Sequence, residues 1–411
     1  MGHSNRKTLL LGAAILAFVF IMTSYNTTLT SSGNASHLSL FSRLFQKSDS
    51  VYRERRETLL KACKGKISEY GGRDLIGNRL SVDEKHKLLY CPIAKVASSF
   101  WKRVFQVSSG TKTGLSPFDV KTGHDNSQPT LGQYPFGVAH WTLKNFTTFL
   151  FVREPYSRLL ACYIDKFFTT NPSFWNIGKV IIRNNRKNPD KLSLSCGHNV
   201  TFPEFIKHVI RTVETKAGLN LHWMPMYMVC SPCEVEYDLI GKLETISQDL
   251  NYILEKYIGD DIIFRDMESE SEVDRLEKNV YGLYGRYNSH AQNCMSLPET
   301  LLRLLRKEQV RGILNKSVEF PDWFSHDKSV SKEEVKTFIL QKYKGDSDKN
   351  LRKLNRQEAL LEAYSQVPME DMLKLQTLYK PDFDIFGYDP QPAELFEENV
   401  RKRNMRKFYF P

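Results

Sequence analysis

Glycine is sparse, 22 of 411 residues, and follows no three-residue period, so a collagen-like rod is excluded. No heptad run long enough for a coiled coil is present, and only one long apolar stretch, which excludes a polytopic membrane protein. Few charges of either sign are missing: 26% of residues are charged, 41% are hydrophobic and 12% aromatic. That balance supports a sizeable core and excludes a mostly disordered chain. Cysteine is scarce and odd in number, seven in all, so at least one stays free or pairs between chains. Cys230 and Cys233 form a CxxC pair, but a second CxxC or an HxxxH partner is lacking, so zinc is not supported. A Walker A pattern is lacking as well.

What is present begins with the apolar run Leu9 to Met22, uncharged and preceded by Arg6 and Lys7. With its flanks it reads as a signal-anchor helix over 8–25, with 1–7 in the cytoplasm. A cleaved signal peptide is the alternative, although no Ala-x-Ala site follows Met22. Both readings send the remainder into the secretory pathway. Asn-x-Ser/Thr tripeptides at Asn26, Asn34, Asn145, Asn199 and Asn315 agree, as do cysteines confined beyond the run. Residues 26–80 read as a lumenal stem, 81–390 as the main domain and 391–411 as a basic C-terminal tail. Within the domain, 301–360 holds 23 charged residues in 60 and reads as a solvated helical insertion rather than core.

From about Lys87 short apolar runs are followed by amphipathic ones, the pattern of an α/β fold with a central parallel sheet flanked by helices. Leu88–Ile93 and Phe146–Val152 read as strands, and Pro155 opens a helix. The loop Ala94-Lys95-Val96-Ala97-Ser98-Ser99-Phe100 lies between the first strand and a helix. Backbone N–H groups, small side chains and Lys95 there suit an anion. Alone, such a loop is more often merely solvated. The second segment, Arg153-Glu154-Pro155-Tyr156-Ser157-Arg158, repeats the arrangement, with Arg153 at the carboxyl end of a strand, where open sheets bind ligands. Alone, Arg153 and Glu154 read as a surface ion pair.

Together the segments resemble the Golgi carbohydrate sulfotransferases of the chondroitin 4-sulfotransferase and HNK-1 sulfotransferase group. AKVASSFWK (94–102) is similar to that family's PKVxxTNWK loop, and VREPYSRLLACY (152–163) to its VREPxxRLxSAY segment. HWMPMYMVCSPCEVEYDLIGKLET (222–245) and LYKPDFDIFGY (378–388) resemble two further family blocks, in the family's order. The resemblance implies a P-loop-like sulfotransferase fold and the donor 3′-phosphoadenosine 5′-phosphosulfate (PAPS), without a metal. It implies that 94–100 binds the 5′-phosphosulfate, and that Arg153 to Arg158, with position 161, binds the 3′-phosphate. Departures are Ala94 for the usual Pro, Phe100 for Asn, and Ala161 for a frequent Ser.

Lys95 is expected to offset charge on the bridging oxygen. The general base should titrate near neutrality, which favours histidine. His140, six residues before the second strand, is the first candidate and His222 the second. The implied partner is a glycan, most simply chondroitin or dermatan sulfated at O4 of GalNAc, and no nucleic acid. Without Arg6 and Lys7 the net charge of +11 becomes +9, which would steer a polyanionic acceptor. HNK-1-type glucuronic acid 3-O-sulfation, a glycosaminoglycan-binding pseudoenzyme and a lumenal kinase are the alternatives. The kinase lacks its phosphate loop and acidic metal site.

Overall fold

The computed structural model describes residues 49–65, 77, 79–114, 116–120, 128–264, 266–322, 324, 330–345, 348–404 and 408–410. The expected signal anchor and most of the expected stem lie outside the described residues. Among the described residues no helix is long and apolar enough to cross a membrane. The chain divides into residues 1–54, of which 49–54 are described and helical, and residues 55–411.

The second unit is built on a four-stranded sheet: β1 (Ser81–Asp83), β2 (Leu88–Cys91), β3 (Thr147–Val152) and β4 (Leu239–Lys242), in that order. β2, β3 and β4 are parallel, with Tyr90 opposite Phe149 and Phe149 opposite Leu239. β1 is antiparallel to β2, so the expected parallel sheet carries an antiparallel edge. LLYC and TTFLFV are almost wholly buried, the run of apolar residues expected of strands covered on both faces.

The helices named below are α1 (Ser98–Ser108), α2 (Phe136–Asn145), α3 (Pro155–Tyr163), α4 (Pro172–Asn185), α5 (Phe202–Thr215), α6 (Met226–Cys230), α7 (Ile246–Ile253), α8 (Met267–Arg286), α9 (Leu297–Val310), α10 (Lys332–Gly345), α11 (Lys349–Ser365) and α12 (Lys380–Phe386). A π-helical turn, Ile164–Phe168, extends α3. α1 packs on the sheet through Trp101, whose ring lies 4.8 Å from Phe149 and 5.1 Å from Phe151. Gly241 in β4 makes room for that layer, since a Cβ there would stand 2.4 Å from the Phe151 ring.

Two of the motif blocks meet in the core. Asp382 in α12 accepts from the N–H groups of Met226 (2.7 Å) and Tyr227 (2.8 Å), capping α6, and the Tyr379 hydroxyl donates to the Trp223 carbonyl. Disulfides join Cys63 to Cys233, Cys91 to Cys230 and Cys196 to Cys294, leaving Cys162 free and buried. The CxxC pair is thus divided between two disulfides.

The expectation of a solvated 301–360 insertion is corrected. Leu301, Leu304, Leu305, Ile313, Leu314, Val335 and Ile339 form a buried cluster, and Ala359, Ala363 and Tyr364 of α11 join the main core. Most of the segment's charged residues stay at the surface, but Lys307, Glu308 and Arg352 are buried. Arg352 donates to the Ile313 carbonyl at 3.0 Å, and Glu362 accepts from the backbone of Phe408, Tyr409 and Phe410 at 3.0, 2.9 and 2.9 Å. That carboxylate also docks the end of the expected basic tail, where Tyr409 and Phe410 are buried.

Candidate active site

The loop from β2 to α1 turns through two left-handed residues, Lys95 (φ 70°) and Ala97 (φ 54°). Ala97 ends the loop as the N-cap of α1, where no side chain caps the helix, so its positive end stays available to an anion. Ser98 and Ser99 form its first turn and are half-buried. Val96 is buried, and Phe100 packs with Phe118 and Phe264 at ring distances of 5.9 and 6.0 Å. An asparagine, the usual family residue there, would forfeit that aromatic packing.

Lys95 Nζ donates to Asp165 Oδ2 at 2.7 Å. Burial pulls its pKa down, with Asp165 opposing and Arg311 adding to the fall. Asp165 in turn stands 3.3 Å from Lys166 and 3.6 Å from both Lys307 and Arg311. Burial alone would raise its carboxyl, but Lys95, Lys307, Arg311 and Lys166 together hold it well below the usual range.

At the end of β3, Arg153 donates to the Lys95 carbonyl at 3.5 Å. Burial brings its pKa to about 10, against Glu244 and Glu154. Adjacent parallel strands thus deliver Lys95 and Arg153 to one edge. The rest of the second segment is already engaged. Glu154 caps α3, accepting from Tyr156 N (2.8 Å) and Ser157 N (2.6 Å), with Pro155 at the first turn. The Tyr156 hydroxyl donates to Pro390 O at 2.8 Å. Arg158 is buried and donates to the carbonyls of Ala94 (3.1 Å), Met224 (2.8 Å) and Leu221 (3.2 Å).

Arg158 therefore braces the anion loop against the 221–224 segment. Arg158→Met is expected to cost roughly 3 kcal/mol or more, since it orphans three carbonyls in the interior. Chemical denaturation checks this. Full stability with weakened anion binding would instead make Arg158 a ligand contact.

The two histidine candidates part company. His140 is exposed on α2 and stacks on Phe136, ring centres 6.2 Å apart. His222 is half-buried, and Lys166, Lys95, Asp165 and Arg158 all act on it. Burial first, then Lys166 and Lys95, bring its imidazole to about 4. Asn220 Oδ1 accepts from His222 N at 3.0 Å, so the Nδ1 contact to the same oxygen at 2.7 Å requires Nδ1–H. Nε2 is left with its lone pair.

Sequence reasoning missed Asp165, Lys166, Lys307 and Arg311. Asp165 was within reach of it: Ser157, Ala161 and Asp165 recur every four residues and form the half-buried stripe of α3 and its extension. Lys307 and Arg311 stand more than 140 residues from Asp165 and carry no local signal. Among the described residues no cluster of three or more His, Cys, Asp or Glu could hold a metal ion.

Residues 78–308, over half of the chain, match the Sulfotransferase family. The chain belongs to that family. Among its relatives, mouse (Mus musculus) carbohydrate sulfotransferase 11 is 35% identical over 215 residues, covering 50% of this chain and 61% of the relative. Zebrafish (Danio rerio) carbohydrate sulfotransferase 14 is 39% identical over 175 residues, 43% of this chain and 47% of the relative. Human (Homo sapiens) carbohydrate sulfotransferase 8 is 34% identical over 182 residues, 43% and 42%. The chain thus spans about three-fifths or less of these relatives. No solved structure matches this family member.

Proposed function

We propose that this chain is a PAPS-dependent carbohydrate O-sulfotransferase. The observation that carries the reading is the meeting of Lys95 and Arg153 at the carboxyl ends of β2 and β3, beside an uncapped helix N-terminus. Two basic groups on adjacent strands suit a donor with two separated anions. Lys95, Ser98, Ser99 and the N–H groups of the loop would hold the phosphosulfate, and Arg153 the 3′-phosphate. When bound, the donor supplies an activated sulfo group. Lys95 Nζ would oppose the charge left on the 5′-phosphate oxygen, and His222 Nε2 would take the proton from the acceptor hydroxyl. His222 rather than His140 is our choice of base, because it shares its surroundings with Lys95.

For the acceptor, the motif resemblance supports O4 of GalNAc in chondroitin or dermatan, with glucuronic acid O3 of an HNK-1-type glycan second. The names of the relatives agree on a carbohydrate and no further. A single-pass Golgi membrane enzyme with a lumenal domain completes the reading, from Leu9–Met22 and its basic flank. Labelled sulfate transfer by the purified chain to desulfated chondroitin, dermatan, heparan and N-glycans tests it. Label on GalNAc O4 is expected. Transfer to none, with glycan binding intact, would favour the pseudoenzyme.

Ala161 is half-buried on the stripe that also carries Asp165, the partner of Lys95. Ala161→Ser should add a hydroxyl contact to the 3′-phosphate and tighten adenosine 3′,5′-bisphosphate binding by roughly 1 kcal/mol in calorimetry. Unchanged affinity would mean that the stripe does not face that phosphate.

A further inference from the structure

The last turn of α9 belongs to the charge-dense segment for which the motifs provide no role. Lys307 there is 3% exposed; its Nζ donates to Asn279 Oδ1 at 2.9 Å and lies 3.6 Å from Asp165 Oδ1. Arg311, one turn on, lies 3.6 Å from the same oxygen and 4.0 Å from Glu308 Oε1. The nearer carboxylate oxygen, Oδ2, is taken by Lys95 at 2.7 Å and Lys166 at 3.3 Å. Four cations therefore share Asp165 and Glu308, and the Oε1 of Glu308 also accepts from Asn279 Nδ2 at 2.7 Å. With Lys307 protonated, about two positive charges are left over in a largely desolvated cleft, where unbalanced charge is costly. Neither Lys307 nor Arg311 approaches Asp165 within hydrogen-bonding distance, so both keep donor capacity. Arg311 also lowers the pKa of both Arg153 and Lys95, so its charge is felt at both proposed anion contacts.

We infer that Lys307 and Arg311 form a second anion clamp, opposite the Lys95 loop, for the phosphosulfate end of the donor. This rests on the donor reading proposed above. A phosphosulfate carries about two negative charges, which matches the excess. Lys307 then has a measurable signature. Burial first, then Arg311, bring it to about 7, while Asp165 and Glu308 raise it and Lys95 lowers it; Asn279 faces it as a neutral partner. An anion in the clamp favours the protonated amine, so occupancy takes up protons near pH 7 and weakens as pH rises through that value.

Calorimetric titration of the full chain with adenosine 3′,5′-bisphosphate, and separately with adenosine 3′-phosphate, tests the clamp. Arg311→Gln and Lys307→Gln should each weaken the bisphosphate about tenfold or more and leave the 3′-phosphate nucleotide unchanged. Titrations in buffers of different ionisation enthalpy should show proton uptake near pH 7 that Lys307→Gln removes. Bisphosphate affinity at the wild-type level in Arg311→Gln, which is partly exposed and safe to fold, would overturn the clamp. So would unchanged nucleotide binding with a raised acceptor KM, which would assign the cations to the acceptor. If the wild-type chain fails to bind the bisphosphate, the donor reading itself falls and the clamp with it.

Discussion

Lys95→Ala is expected to lower turnover by roughly 10²–10³-fold, the usual loss when one electrostatic donor to a developing charge is removed. Binding of the bisphosphate product should weaken much less, because the charge that Lys95 opposes grows during transfer. Folding should survive, since Asp165 keeps Lys166, Lys307 and Arg311 close by. Arg153→Ala should give the opposite signature. Its proposed partner is unchanged by the reaction, so donor and product should weaken together by about ten- to a hundredfold, the worth of a charged hydrogen bond. Steady-state kinetics and calorimetry on the two variants separate these outcomes. Equal losses in binding and turnover for Lys95→Ala would remove its catalytic role.

His222→Ala should cost about 10²–10⁴-fold in turnover with bisphosphate affinity retained, the signature of a lost general base. The pH dependence has a definite sign. The base acts when neutral, so turnover falls as pH drops through the imidazole pKa. With the cleft empty that value is about 4, held down by burial and by Lys166 and Lys95. A bound anion offsets the two lysines, so the acid limb should lie above that value, toward the ordinary imidazole value of about 6.5. A flat profile across that interval, or a larger loss in His140→Ala, would move the assignment away from His222.

The parts legible in the sequence are those in which local chemistry and tertiary role coincide. Leu88–Cys91 and Thr147–Val152 are continuous apolar runs because both faces of the sheet are covered, and Pro155 opens α3 as its fixed φ favours. Lys95 and Arg153 could be paired in advance because each follows a strand, and parallel neighbours deliver their ends to one edge. Arg158 was legible as a residue and not as a role: a guanidinium in a motif looks free to bind phosphate until three carbonyls occupy it. The 301–360 segment misleads for the same reason, since Lys307 and Arg352 look solvated by composition but are buried with partners. Preferring His222 to His140 as the proposed base rests on the 221–224 turn being tied to the loop through Arg158, a long-range contact that distance along the chain does not carry.

A crystal structure of the chain with adenosine 3′,5′-bisphosphate tests the central claim most directly. The account predicts the 5′-phosphate at the N-terminus of α1 within hydrogen-bonding distance of Lys95 Nζ, and the 3′-phosphate on Arg153. A nucleotide bound elsewhere, or in this cleft with neither Lys95 nor Arg153 touching a phosphate, would contradict it.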